Sequence, residues 1–201
     1  MSSGFEPVVE GARMMEGWSR PWFICGGWAI DLFLGELSRE HEDIEVGVFR
    51  DDQEALRSHF AGRRLEKVVR SGAQGAWVLW EEREHLMLPV HQVRVAGLEA
   101  GGYPVEFLLH ERDGSAWSSR RHPGLTRAIG EVVMESFLGV PILVPEVQLL
   151  FKAKGTREKD DADLVKVLPR MALERSRWLL AALEKYHAGH EWIHRLKASL
   201  G

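Results

Sequence analysis

Apolar and polar residues follow two different periods near the beginning of the chain, and together they predict a strand–helix–strand unit. Residues 22–25 form an apolar run that Gly26-Gly27 interrupts. Apolar side chains then recur at helical spacing over residues 28–34, which predicts a helix. Residues 43–49 begin by alternating acidic and apolar side chains, the period of a half-buried strand.

The remaining pattern predicts a β-rich middle and a helical end. Strands are expected at 65–70, 76–80, 91–95, 105–110, 131–136 and 142–144. Helices are expected at 8–18, 53–60, 145–154, 156–168, 170–186 and 190–200. We therefore expect an α/β (α+β) fold, in which a mixed sheet is flanked by helices. The predicted division is a core over residues 1–144 and a helical C-terminal subdomain over residues 145–201.

Composition narrows the class of protein. The 201 residues are 45% hydrophobic with a formal net charge of −4, which suits an ordinary soluble domain and disfavours a nucleic-acid partner. The single cysteine, Cys25, excludes a disulfide within the chain and is typical of a reducing compartment. Because no apolar run approaches the roughly 20 residues of a membrane span, and the first residues lack signal-peptide features, we expect a cytoplasmic protein that does not contact a membrane.

Two acids on the second predicted strand are the main candidate for chemistry. Asp43 and Glu45 lie two residues apart, so on a strand their carboxylates face the same side, roughly 6–7 Å apart. Two like charges on a partly buried strand raise the free energy of the fold. A divalent cation would offset that cost, whereas a solvated edge strand would need no cation.

The glycine pair before the helix strengthens the first of these interpretations. A Gly-Gly pair alone most often marks a turn. Placed between a strand and a helix, Gly26 and Gly27 would let phosphate groups approach the backbone N–H groups of the first helical turn. A phosphate site beside a divalent-metal site is the arrangement that nucleotidyl transfer requires.

Two further acids have alternative roles. Glu106 is the lone acid of the strand predicted at 105–110, so it is either a third carboxylate of the site or a member of a structural ion pair. Asp31 lies in the predicted helix, where it either interacts favourably with the helix N-terminus or contacts a cationic acceptor.

Residues 26–32 and 39–46 together resemble the active-site segment of small antibiotic nucleotidyltransferases, the 2″-aminoglycoside adenylyltransferases and lincosamide nucleotidyltransferases. Residues 145–154 and 159–163 are similar to the C-terminal helical segment of those families. The resemblance implies the DNA polymerase β-type nucleotidyltransferase fold. It also implies Mg²⁺ (or Mn²⁺) and ATP or another NTP, from which a nucleoside monophosphate is transferred to a hydroxyl of a small molecule such as an aminoglycoside-like antibiotic.

The resemblance also implies roles for particular residues. Asp43 and Glu45 would be metal ligands, and Glu106 would be a third ligand or the general base for the acceptor hydroxyl. The expected nucleotide contacts are Gly26, Gly27 and either Arg39 or Lys152.

One residue departs from the family pattern. Glu45 stands where the family normally has Asp, and its extra methylene adds on the order of 1.5 Å of reach at a site where Mg²⁺ tolerates little distortion. Either the site accommodates the longer side chain, or the chain is a catalytically weakened member that binds a nucleotide or a protein partner in a regulatory or toxin–antitoxin role.

Overall fold

A mixed β-sheet flanked by α-helices forms the protein, which confirms the predicted fold class. The structure is a computed structural model that describes residues 4–71 and 74–201. The strands are β1 (Trp22–Ile24), β2 (Ile44–Phe49), β3 (Leu65–Ser71), β4 (Gln74–Leu79), β5 (Gln92–Ala100), β6 (Tyr103–Asp113), β7 (Ala116–Ser118), β8 (Thr126–Ala128), β9 (Val133–Glu135) and β10 (Pro141–Leu143). The helices are α1 (Glu6–Arg13), α2 (Gly26–Leu34), α3 (Gln53–His59), α4 (Ile129–Val132), α5 (Pro145–Lys152), α6 (Glu158–Val167), α7 (Leu173–Tyr186) and α8 (Trp192–Leu200).

The sheet places β2 at its centre. Its strand order is β4-β3-β5-β6-β2-β1-β10-β9, with β7 paired to β6 and β8 paired to β7. The β2–β6 and β1–β10 pairs are parallel, and the remaining pairs are antiparallel. In this register Glu45 on β2 stands directly beside Glu106 on β6.

The alternation predicted for β2 is confirmed. Ile44 and Val46 are completely buried, while Glu45 between them is only partly buried. Because successive strand residues point to opposite faces, the apolar side chains enter the core and the acid faces away from it.

Several predicted elements differ in extent or type. The strand expected at 131–136 is partly helical, since α4 occupies its first residues and β9 only three of the rest. The short strands β7 and β8 were not expected, because three residues are too few to establish a period. The helix expected at 170–186 begins only at Leu173, after a 3₁₀ turn at Leu168–Arg170 that contains Pro169.

The helices after residue 144 pack against α2. Ile30 and Leu34 of α2 lie in one buried apolar cluster with side chains that include Leu149, Leu183 and Trp192. The division at residue 144 stays a prediction. No helix of the described chain combines the length and apolarity that a membrane span needs.

A buried carboxylate links the sheet to the C-terminal helices. Glu146 of α5 is fully buried, and its Oε1 accepts hydrogen bonds from Arg127 of β8 at 2.8 Å and from Arg175 of α7 at 2.7 Å. Removing one partner of such a buried network leaves the other charges uncompensated.

We predict that Glu146→Gln lowers the free energy of unfolding by about 3 kcal/mol, because Arg175 then loses its counter-charge and Arg127 keeps only its 3.9 Å pair with the exposed Glu131. Urea denaturation followed by circular dichroism measures the change. The matched control is Glu184→Gln, which breaks an exposed pair with Lys197 and is expected to change stability by less than about 1 kcal/mol. Equal stability of the two variants would contradict this role for Glu146.

Candidate active site

A cavity of about 620 Å³ lies at the end of the sheet where β1 ends and β2 begins. Its position follows from the antiparallel β1–β2 pair, which brings the glycine pair after β1 next to the acids that open β2. Gly26, Gly27, Asp43 and Glu45 all line it. The two features that the sequence suggested for one site are therefore neighbours in space.

The two carboxylates are partly buried, and neither has a cationic partner among the described residues. Burial, followed by the charge of Asp43, raises the pKa of Glu45 to about 7. Burial, followed by the charge of Glu42, raises the pKa of Asp43. Within the described chain, no Lys or Arg side chain lies within ion-pair distance of either acid. Four of the cations that line the cavity pair instead with other carboxylates: Arg39, Lys152, Arg157 and Lys159.

This donor set fits a magnesium ion. Two carboxylates on one wall of a cavity supply hard oxygen ligands, and their mutual repulsion would be relieved by a divalent charge. Across residues 4–71 and 74–201, no group of three or more His, Cys, Asp or Glu side chains is arranged to hold a metal ion. Mg²⁺ is usually bound through one or two carboxylates together with substrate phosphates and water, which matches the pair found here.

Glu106 stands beside this pair rather than within the cavity wall. It is the strand neighbour of Glu45, its carboxylate accepts a hydrogen bond from the Gln92 side chain, and the cavity lining does not include it. Burial raises the pKa of Glu106, while the Gln92 hydrogen bond acts in the opposite direction. Its role as third ligand or general base stays a prediction.

Close approach of side chains explains the glycine pair. Gly26 has φ +70°, in the left-handed region, and a Cβ there would clash with Oε2 of Glu45. A Cβ at Gly27 would clash with the Arg39 guanidinium and lie 2.6 Å from the His41 ring. The Gly26 N–H donates to Oε1 of Gln148 at 2.8 Å, so in this structure that amide is already hydrogen-bonded within the protein.

Asp31 is buried and contacts His41, which lies just before the two acids in the chain. Its side chain is fully buried, and its Oδ2 lies 2.7 Å from Nε2 of His41. The His41 ring stacks on Trp28, with 4.3 Å between ring centroids, and Trp28 Nε1 donates to the backbone carbonyl of Asp43 at 3.0 Å. The Asp31 carboxylate is thus not accessible to an acceptor in this structure, and it instead holds the segment that carries Asp43.

The two predicted phosphate contacts line the cavity but are held by acids of α6. Lys152 Nζ lies 3.0 Å from Asp160 Oδ1 and 2.9 Å from Asp163 Oδ2. Arg39 Nε lies 3.5 Å from Asp163 Oδ1. Both cations are therefore largely neutralised before any ligand binds.

The cavity lining also includes Lys154 and two cations that sequence reasoning missed, Arg120 and Arg121. In the described part of the chain, none of them has an acid within ion-pair distance. Burial, followed by the charge of Arg121, lowers the pKa of Arg120 to about 10, as expected for a cation without a counter-charge. The arginines lie in the loop between β7 and β8, where no periodic pattern marked them.

A pair of histidines ties that loop to the C-terminal helices. Nδ1 of His122 lies 2.9 Å from Oγ of Ser119, and its Nε2 lies 2.9 Å from Nε2 of His187. Arg121 donates to the backbone carbonyl of Phe151 at 2.8 Å. The arginines are consequently held against the helical part of the molecule.

The chain is similar to known nucleotidyltransferases. The model of the aminoglycoside-2″-adenylyltransferase family matches residues 11–168. Two 2″-aminoglycoside nucleotidyltransferases, from Escherichia coli and Klebsiella pneumoniae, are each 41% identical over 51 residues, a match that covers 24% of this chain. The matched segment spans 29% of the length of these relatives.

Two solved structures share the fold. The solution structure of the antibiotic-resistance factor ANT(2″)-Ia superposes with a TM-score of 0.56 at 16% identity, covering 97% of this chain and 99% of that one. The lincomycin-bound lincosamide antibiotic adenylyltransferase LnuA gives a TM-score of 0.52 at 16% identity, covering 80% and 93%. At this identity the likeness concerns the fold.

We predict that the His122–His187 pair contributes a loss of stability as the pH falls from about 6.5 to about 4. Burial, aided by His187, lowers the pKa of His122 to about 4, and burial also lowers the pKa of His187. Since the unfolded chain takes up protons at these histidines first, acid favours unfolding. His122→Gln should reduce the loss between pH 7 and pH 5 by about 1–2 kcal/mol.

Urea denaturation at the two pH values measures this loss. His194→Gln, at an exposed position on α8, is the control and should keep the full acid sensitivity. An unchanged pH dependence in His122→Gln would show that this histidine pair does not titrate with unfolding.

Proposed function

Because the chain belongs to the aminoglycoside-2″-adenylyltransferase family, we propose that it transfers a nucleoside monophosphate from ATP or another NTP to a hydroxyl of a small molecule. One observation carries the proposal: two carboxylates without cationic partners, Asp43 and Glu45, share a cavity with cations that have no acid partner in the described chain. A metal ion and a triphosphate are the complementary pair of ligands for these two groups.

The triphosphate is proposed to bind beside the cavity cations that have no acid partner in the described chain. Arg120 and Arg121 would bind the β- and γ-phosphates and the departing pyrophosphate, with Lys154 beside them. The first turn of α2 would approach the phosphates through backbone N–H groups. Arg39 and Lys152 remain proposed phosphate contacts that would share their charge with the acids of α6.

A magnesium ion held by Asp43 and Glu45 would neutralise charge on the triphosphate and align the attacking and leaving oxygens. The absence of a side chain at Gly26 would help Glu45 to act in the place where the family has Asp. Because the glutamate carboxylate occupies the space that a Cβ on Gly26 would need, the missing side chain provides room for the extra methylene.

Glu106 is the proposed general base. The acceptor hydroxyl would give its proton to the Glu106 carboxylate and form a bond to the α-phosphorus. The bond from that phosphorus to the bridging oxygen would break, and pyrophosphate would leave with the electron pair. The raised pKa of Glu106 supports this role, since a base is most effective when its pKa approaches the working pH.

The acceptor is proposed to be a small hydroxylated molecule of the kind that antibiotics represent. The names of the related proteins point to aminoglycosides and lincosamides as reference acceptors. Either would bring a hydroxyl to the α-phosphate.

We predict that Asp43→Asn lowers Mg²⁺-dependent NTP affinity by about tenfold or more and the transfer rate by about 10³-fold, because a ligand loses its charge. Calorimetry of Mg²⁺ with the NTP measures the first effect, and mass spectrometry of the product measures the second. Glu45→Asp is the matched variant and should keep both properties. NTP binding that is indifferent to Mg²⁺ and to Asp43→Asn would favour the catalytically weakened binder instead.

We predict that Arg120→Gln weakens NTP and pyrophosphate binding by about tenfold and leaves nucleoside monophosphate binding nearly unchanged, because it removes a charge-assisted contact to the outer phosphates. Calorimetric titration of the three ligands separates these effects. Arg195→Gln, which changes a cation on α8 outside the cavity lining, is the control. An equal loss of affinity for all three ligands would contradict a contact between Arg120 and the outer phosphates.

A further inference from the structure

Gln148 of α5 is a buried side chain that uses only one end of its amide within the described chain. It is 7% exposed and lines the cavity. Its Oε1 accepts a hydrogen bond from the Gly26 N–H at 2.8 Å, and because a backbone N–H can only donate, this bond fixes the orientation of the amide. Nε2 is therefore the end that has no acceptor among the described residues. A donor without a partner on a buried side chain raises the free energy unless a ligand accepts from it.

A second buried glutamine has a purely structural role and provides the comparison. Gln53 is completely buried outside the cavity lining, and both ends of its amide are hydrogen-bonded within the protein. The Leu86 N–H donates to its Oε1 at 2.6 Å, and its Nε2 donates to the Arg50 carbonyl at 3.1 Å. Gln148 differs because its donor end is unused and its side chain lines the cavity.

The Gln148 amide lies close to the groups that are proposed to hold the metal and the phosphates. Its partner Gly26 opens α2, and the Glu45 carboxylate occupies the place of a Cβ on that glycine. Lys152, one turn later on α5, lines the same cavity but is paired with two acids. Arg121 donates to a backbone carbonyl of α5. Gln148 is thus a neutral donor near a proposed metal ligand and near cations that are proposed to bind phosphate.

A neutral donor suits this position better than a cation does. A lysine or arginine next to Gly26 could pair with Glu45 and would compete with the metal ion for its carboxylate. An amide N–H₂ group donates to a phosphate oxygen without adding a positive charge. Glu45 therefore keeps its charge for the metal.

From these contacts we propose that Gln148 binds the triphosphate of the nucleotide: its Nε2 donates to a phosphate oxygen, while its Oε1 keeps the hydrogen bond to the Gly26 N–H. The inference rests on the proposed function and adds to it a nucleotide contact that carries no charge. Because one side chain holds both the first residue of α2 and the phosphate, it fixes the phosphate relative to the N-terminus of that helix.

Two substitutions separate the donor end of this amide from its acceptor end. Gln148→Glu keeps an oxygen for the Gly26 N–H but replaces the donor with an anion, whereas Gln148→Met removes both ends. Calorimetry with Mg²⁺ and a non-hydrolysable ATP analogue, at about pH 8 so that carboxyl groups are ionised, measures the affinity. It should fall about tenfold in Gln148→Met and at least about 100-fold in Gln148→Glu. A purely structural role predicts the opposite order, with Gln148→Glu close to the unsubstituted protein. That order, or an unchanged affinity in Gln148→Met, would overturn the proposal.

Two controls assign the loss to the phosphate contact. Gln53→Met removes the hydrogen bonds of the other buried glutamine, so it should lower stability and leave the affinity for the ATP analogue unchanged. Titration of Mn²⁺ alone should give the same affinity for Gln148→Met as for the unsubstituted protein, and a loss of metal affinity as large as the loss of nucleotide affinity would overturn the proposal. Failure of the unsubstituted protein to bind Mg²⁺ with the ATP analogue would refute the proposed function itself, which distinguishes that failure from failure of this inference.

Discussion

The repulsion between Asp43 and Glu45 is the constraint on which the rest of the site depends. Burial raises the pKa of both acids, and the charge of Asp43 adds to the rise at Glu45. Lys152 and Lys159, which lie nearby, pair with other carboxylates. A fold that keeps two carboxylates in such a position without an internal counter-charge is less stable than one that pairs them. Binding of an external cation supplies the missing charge and restores the lost stability.

The surrounding structure keeps this arrangement in place. Gly26 leaves space for the Glu45 carboxylate, and the buried Asp31–His41 pair with Trp28 holds the segment that carries Asp43. The acids of α6 neutralise Arg39 and Lys152, whereas Arg120 has no acid partner in the part of the chain that the structure describes. The result is a cavity in which negative and positive groups are kept apart, the arrangement that a metal-bound triphosphate bridges.

The sequence predicted the parts of this site that depend on local order. The alternation around Glu45 and the glycine pair before α2 are short-range patterns, and the structure brings them together as expected. It did not predict Arg120, which reaches the cavity from the loop between two three-residue strands. Nor did it predict that Lys152 is neutralised or that Asp31 is fully buried, because both follow from contacts between distant segments. Such contacts leave no period in the sequence.

The central claim is that Asp43 and Glu45 hold the metal that accompanies a nucleotide. The most direct test is a crystal of the protein soaked with Mn²⁺ and a non-hydrolysable NTP analogue, with anomalous diffraction recorded near the manganese edge. The account predicts an anomalous peak coordinated by both carboxylates and by phosphate oxygens, with the outer phosphates directed toward Arg120. A peak elsewhere, or a nucleotide bound without metal at these two acids, would contradict it.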